Sequence, residues 1–186
     1  MGQDEYNVLF LCTGNSARSI LGEAILNRAG KGRFKAFSAG SNPTGKVNEL
    51  ALELLRSHGY STAGMASKSW ETFADSNAPR IDFVFTVCDS AGKEVCPVWP
   101  GYPMTAHWGI ADPAAVEGTD REKGAAFAIA YEALSHRIGL FLDLPLAAME
   151  RNALRRKLNE IGYVNDDDVR FNVTLSNTTT SYEYGR

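Results

Sequence analysis

Cysteine is scarce in this chain: Cys12, Cys88 and Cys96 are the only three among 186 residues. They are too few and too unevenly spaced for a secreted disulfide framework, whereas a reducing compartment favours reactive or redox cysteines. Long apolar runs are also missing. None approaches the ~20 residues needed to span a bilayer, and the opening MGQDEYNVLFLC carries acidic residues where a secretory signal needs a basic flank. A cytoplasmic location without membrane attachment is expected. Nor is there an excess of positive charge: 19 basic against 22 acidic side chains leave a net charge of −3, which argues against nucleic-acid binding by bulk charge. What is present is ordinary for one globular domain, with 44% hydrophobic and 22% charged residues, enough to bury a core without staples.

The apolar run Asn7 to Cys12 has strand length and reads as a strand buried on both faces. It breaks at Thr13-Gly14-Asn15-Ser16, after which Ala17, Ile20, Leu21, Ala24 and Ile25 recur at helical spacing until Gly30 and Gly32. A second strand (Phe34 to Ala39), a helix carrying Leu50, Ala51, Leu54 and Leu55 before Gly59, a third strand (Asp82 to Val87) and a short fourth (Met104 to Trp108) follow. A loop is expected between the last two strands, around Gly92, Pro97, Pro100, Gly101 and Pro103. Two helices complete the pattern, one carrying Phe127, Tyr131, Leu134, Ile138 and Phe141. The other, beyond Pro145, carries Leu146, Met149, Ala153, Leu158 and Ile161 and is capped by Gly162. This alternation predicts an α/β fold, a doubly wound four-stranded parallel sheet flanked by helices with an extra C-terminal helix. Residues 1–162 form the expected domain, and 163–186 read as a flexible tail in which VRFNVTL could add a strand.

The segment Cys12-Thr13-Gly14-Asn15-Ser16-Ala17-Arg18-Ser19 carries the chemistry. A cysteine and an arginine separated by five residues would ordinarily be a buried strand thiol and an exposed helical arginine. Here a strand precedes and a helix follows, so the loop's N–H groups and the helix dipole converge on one point and favour a tetrahedral oxyanion. Gly14 allows close backbone approach, Asn15 tolerates left-handed geometry, and Arg18 can grip two oxygens with its planar fork. The same field favours the thiolate of Cys12 as nucleophile, and Ser19 can donate a hydrogen bond to it as leaving group. The glycine-rich loop of nucleotide-binding proteins, G-x-x-x-x-G-K-[ST], is absent.

This loop resembles the signature of the low-molecular-weight protein tyrosine phosphatase family and, within it, the phosphatase-like arsenate reductases. Further landmarks are FSAGS (37–41), Val47-Asn48, SKSW (67–70), TVCD (86–89), Cys96-Pro97 and HWGIADPA (107–114), so the resemblance covers about residues 7 to 143. It implies that Asp112, before Pro113, is the general acid that protonates the departing oxygen. By residue type alone, Asp-Pro is a common turn initiator.

Cys88 and Cys96 separate the chemistries, because a phosphatase needs neither and a two-electron reduction needs thiols. Cys88 sits at the end of the third strand, where functional loops of a parallel sheet gather, so it can approach Cys12. The resemblance implies the order Cys12, Cys88, Cys96 and a final Cys88–Cys96 disulfide reduced by a thioredoxin-type partner. Two positions depart from the pattern: Ala17 stands where several relatives have a further cysteine, and seven residues separate Cys88 from Cys96, one more than in some members. The electron donor therefore stays open between thioredoxin and glutaredoxin or a low-molecular-weight thiol.

The expected substrate is arsenate, with phosphate or sulfate as mimics, and no cofactor or metal is called for. A phosphotyrosine phosphatase and a non-catalytic phosphoprotein-binding module are the alternatives. Retention of Cys12, Arg18 and Asp112 argues against the module. The resemblance further implies that Asn15, Glu23, Ser38 and Ser41 support the loop by hydrogen bonds or a cation site, with Lys68 as a fixed ammonium; an exposed lysine and a solvent-facing glutamate are the plainer readings. His107 is taken to orient the Asp112 loop and Trp108 to pack beneath it. Arg151, Arg155, Arg156 and Lys157 read as a solvated helix face. A monomer is expected.

Overall fold

A computed structural model of the chain describes residues 5–93, 99 and 101–165. Cys96, expected to be the outer thiol, and the segment 166–186, with its candidate strand, lie outside the described residues. Among the described residues, four strands, β1 (Tyr6–Cys12), β2 (Phe34–Gly40), β3 (Phe83–Thr86) and β4 (Met104–His107), form a wholly parallel sheet in the order β2-β1-β3-β4. The helices are α1 (Arg18–Ala29), α2 (Glu49–Ser57), α3 (Asp89–Lys93), α4 (Asp120–Leu142) and α5 (Arg151–Gly162).

β1 is central, which explains its unbroken apolar run: a strand with neighbours on both sides and layers on both faces has no exposed positions to fill with polar residues. Val8, Phe10 and Cys12 face the larger core layer with Ile20, Leu21, Leu134, Ile138 and Leu158. Leu9 and Leu11 face a smaller one made by Ala39, Phe73, Ile81, Val84 and Trp99. Trp108 and Phe85 stack at 3.8 Å with Phe141 set edge-on to both, and the indole N–H of Trp108 donates to Leu158 O at 2.9 Å. Trp108 thus ties the sheet to α4 and α5.

Three local expectations are corrected. α3 occupies part of the stretch expected to be loop after β3. The last helix begins at Arg151; Leu146 belongs to a separate 3-10 turn (Leu146–Ala148), because Met149 and Glu150 are both extended and interrupt the helix. Gly162 is inside α5, with Tyr163 as the cap; a Cβ there would lie 2.1 Å from His107 O, so its smallness serves the contact of α5 with β4. The basic side chains of α5 are exposed while Leu154, Leu158 and Ile161 are buried.

The strand order locates the site. From β1 the chain moves outward to β2 and then returns to the other side of β1 for β3, so the connections diverge between β1 and β3. In open α/β sheets ligands bind beyond the carboxyl ends of strands at such a switch point. Cys12 ends β1, and Cys88 lies two residues beyond β3.

Candidate active site

Between Cys12 and α1 the chain turns within five residues, which demands a left-handed position. Asn15 supplies it at φ 44°. Fully buried, it is tied on every side: its backbone N–H points at Cys12 Sγ (3.2 Å), its Nδ2 donates to Ser19 Oγ (2.9 Å), and its Oδ1 accepts from Lys68 N (2.8 Å). Ser19 Oγ lies 3.0 Å from Cys12 Sγ. The Asn15 N–H thus points at the sulfur, and Ser19, whose Oγ already accepts from Asn15 Nδ2, can turn its hydroxyl proton toward it.

The outer wall of the loop is held by its own carbonyls. Thr13 O accepts from Asn42 N, Gly14 O from Thr44 N and Ser67 Oγ, and Ser16 O from Asn48 N, at 2.9 to 3.1 Å. With these carbonyls turned outward and bonded, the loop's N–H groups are left for the inside. Ala17, at the position that caps α1, supplies no side-chain hydrogen bond, and no acidic residue occupies the first turn. Helices usually fill such donors with Ser, Thr, Asp or Asn; leaving them open suits an anion. The tightest approach in the loop occurs at Gly40, where a Cβ would come within 2.4 Å of Thr13 O.

Arg18 bridges from α1 to the segment after β4. Its guanidinium donates to Ile110 O (2.8 Å) and pairs with Asp112 Oδ2 at 3.0 Å. Asp112 also accepts from Ala114 N at 3.1 Å, which fixes the turn at Pro113. Cys88 is a buried free thiol, like Cys12. Its Sγ is 3.7 Å from Thr13 Oγ1 and receives Ala91 N–H at 3.4 Å, so the second thiol lies against the residue next to Cys12.

Glu23, Ser38 and Lys68 form a second polar group. Ser38 Oγ donates to Glu23, and Lys68 Nζ lies 3.5 Å from Glu23 Oε2 and 3.4 Å from Ser38 Oγ. Glu23 thus faces a partner and Lys68 is engaged, against the plainer readings of both. Because the Lys68 backbone also holds Asn15, this group is joined to the loop. Ser41 Oγ is buried without a hydrogen bond among the described residues. The His107 ring bonds Thr86 Oγ1 (2.8 Å) and Asp89 Oδ1 (3.2 Å), on the two sides of Cys88.

Sequence reasoning overlooked Ser67, Gly40 and the carbonyl of Ile110. Ser67 and Gly40 fell within recognised landmarks, but their roles come from partners distant in sequence. Among the described residues no cluster of three or more His, Cys, Asp or Glu is placed to hold a metal, and no helix is long and apolar enough to cross a membrane.

Comparison with known proteins bears on family and fold. The sequence model of the low molecular weight phosphotyrosine protein phosphatase family matches residues 7–156, extending the resemblance into α5. An arsenate reductase of Halalkalibacterium halodurans is 34% identical over 136 residues, 73% of this chain and 94% of that one. The crystal structure of an arsenate reductase from Archaeoglobus fulgidus is similar at 32% identity and a TM-score of 0.52, over 71% of this chain and 98% of its own. A low molecular weight protein tyrosine phosphatase from T. tengcongensis shares the fold at 23% identity and a TM-score of 0.59, over 73% of this chain and 96% of its own.

Proposed function

This chain belongs to the low-molecular-weight phosphotyrosine protein phosphatase family, and from that premise we propose that it reduces arsenate to arsenite by a relay through Cys12, Cys88 and Cys96. The observation that carries the reading is the second buried thiol: Cys88 Sγ lies 3.7 Å from the hydroxyl of Thr13, adjacent to the nucleophile. Hydrolysis of a phosphate ester has no use for it. Relatives more than 30% identical that are named arsenate reductases support the same choice.

Arsenate enters the loop between the inward N–H groups and Arg18, which exchanges its bond to Asp112 for the oxyanion oxygens. Cys12 Sγ attacks arsenic, and one oxygen leaves as water on taking a proton from Asp112, giving a thiol–arsenate adduct. Cys88 as thiolate attacks Cys12 Sγ; the sulfur–arsenic bond breaks and its electron pair stays on arsenic. As(V) becomes As(III), and two thiols become the Cys12–Cys88 disulfide. Cys96 attacks Cys88 Sγ, freeing Cys12 and leaving a Cys88–Cys96 disulfide, which an external dithiol reduces. Thioredoxin is the preferred donor, with glutaredoxin or a low-molecular-weight thiol as the alternative.

The Lys68 ammonium serves as the fixed positive charge that holds Glu23 and Ser38 beneath the loop. The reactions work on thiols in a reducing setting, in keeping with a cytoplasmic enzyme. The deciding assay supplies the purified protein with arsenate or an aryl phosphate, each with a thioredoxin or a glutaredoxin system. Arsenite production dependent on one thiol system and exceeding phosphate hydrolysis supports the reductase. Efficient hydrolysis without arsenite would make it a phosphatase.

A further inference from the structure

β3 and β4 end side by side, with Thr86 opposite His107 in register. From there the His107 imidazole spans two residues that bracket Cys88: Nδ1 is 2.8 Å from Thr86 Oγ1, and Nε2 is 3.2 Å from Asp89 Oδ1. A neutral ring satisfies both, with Nε2–H donating to the carboxylate and Nδ1 accepting the hydroxyl proton. Two glycines make room for it. A Cβ at Gly92 would fall 2.8 Å from Nδ1, and one at Gly109 would fall 2.9 Å from Nε2, so the ring lies between two stretches of backbone that carry no side chain against it.

The helix it touches adjoins Cys88. The described part of α3, Asp89–Lys93, follows Cys88 directly in the chain. Its own ties to Cys88 are the bond from Gly92 N to Cys88 O at 3.0 Å and that from Ala91 N to Cys88 Sγ at 3.4 Å. A displaced α3 would carry the sulfur away from Thr13. His107 crosslinks this helix to the rigid edge of the sheet, at a cost of two glycines and two polar partners for a ring that is 44% exposed. A half-exposed side chain adds little to the core, so such provision has its use in geometry.

We propose that His107 is a positioning residue for the resolving thiol: by holding α3 against β3 and β4 it keeps Cys88 Sγ within reach of the Cys12 adduct. The inference rests on the relay proposed above. It assigns His107 to the second chemical step, leaving oxyanion binding and attack by Cys12 to the loop.

The test compares wild type with His107→Ala, His107→Gln, Gly92→Ala and Cys88→Ser in the full chain. Three quantities are read: the dissociation constant of inorganic phosphate, the rate of arsenite release in a single turnover, and the rate of Cys88 alkylation by iodoacetamide in the reduced protein. For His107→Ala, phosphate affinity should stay within about twofold, arsenite release should slow at least about tenfold, and alkylation should accelerate. His107→Gln, which keeps a donor for Asp89, should recover part of the release rate. Gly92→Ala, which crowds the ring, should resemble His107→Ala; with Thr86→Val it carries the same test if His107→Ala does not fold.

A merely structural role would weaken phosphate binding and release together, and that result would overturn the proposal. So would wild-type release and alkylation in His107→Ala while Cys88→Ser releases nothing. If Cys88→Ser itself releases arsenite like wild type, the relay is what fails, and the alkylation rate alone then decides whether His107 holds Cys88.

Discussion

At the scale of single residues, the loop depends on Asn15 and Arg18 in different ways. Asn15 combines a left-handed backbone with two side-chain hydrogen bonds in a fully buried place. Asn15→Ala leaves Ser19 Oγ and Lys68 N short of a partner and strains the backbone, a cost of about 2–4 kcal/mol. Urea unfolding should show a midpoint lower by about 1–2 M, whereas Asn15→Gly, which relieves the strain, should lose roughly half as much. Arg18 is assigned to the proposed oxyanion clamp. Its fork already spans Ile110 O and Asp112, a geometry suited to two oxygens of one anion. Arg18→Lys offers a point charge in place of a planar pair of donors, and kcat/KM for arsenate should fall about 10²-fold or more. Near-normal turnover in that variant would remove Arg18 from the clamp.

At the scale of elements, sequence patterns revealed those whose cause is local and missed those whose cause is remote. β1 and the helix after it follow from an apolar run, a break and a 3.6-residue period, all within twenty-odd positions. α3 could not be read this way, since it lies where glycine and proline signalled a loop and the ring bonded to its first residue comes from β4. Gly162 looked like a cap because glycine commonly ends helices; its reason is the His107 carbonyl, which no pattern within α5 discloses. Glu23 and Lys68 were recognised by position, yet their pairing depends on how β2 sets Ser38 between them.

One helix start carries a pH dependence of its own. Thr119 caps α4, and Glu122 closes the box by accepting from the Thr119 N–H and hydroxyl. These bonds, the backbone one foremost, hold the Glu122 carboxyl below its usual range. A lowered folded-state value means the stabilisation is present above the unfolded-state value and is lost as pH falls through the folded one. Thermal unfolding of Glu122→Gln should therefore give a lower Tm than wild type at pH 7, with the gap closing in acid. A gap that stays constant down to pH 3 would show that the carboxylate adds nothing.

At the scale of the molecule, the strand order β2-β1-β3-β4 does the organising. It places the ends of β1 and β3 on the two sides of one switch point, so Cys12 and Cys88, 76 positions apart in sequence, both adjoin Thr13, one along the chain and the other through a 3.7 Å side-chain contact. That arrangement was legible in outline from the sequence, as two cysteines at the ends of strands in one parallel sheet. The contact through Thr13, the outward-bonded carbonyls of the loop and the capture of Arg18 by Asp112 were not, because each needs the folded partner to be seen.

The central claim is that Cys12 binds and Cys88 reduces. It is tested most directly by one turnover of pre-reduced protein mixed with arsenate, with no external thiol present and with mapping of the disulfides formed. Wild type should release about one arsenite per chain and end with Cys88 joined to Cys96. Cys96→Ser should release the same amount and stop at a Cys12–Cys88 disulfide. Cys88→Ser should bind phosphate yet release no arsenite, because nothing attacks the adduct. Arsenite released by Cys88→Ser in the amount that wild type gives would contradict the account.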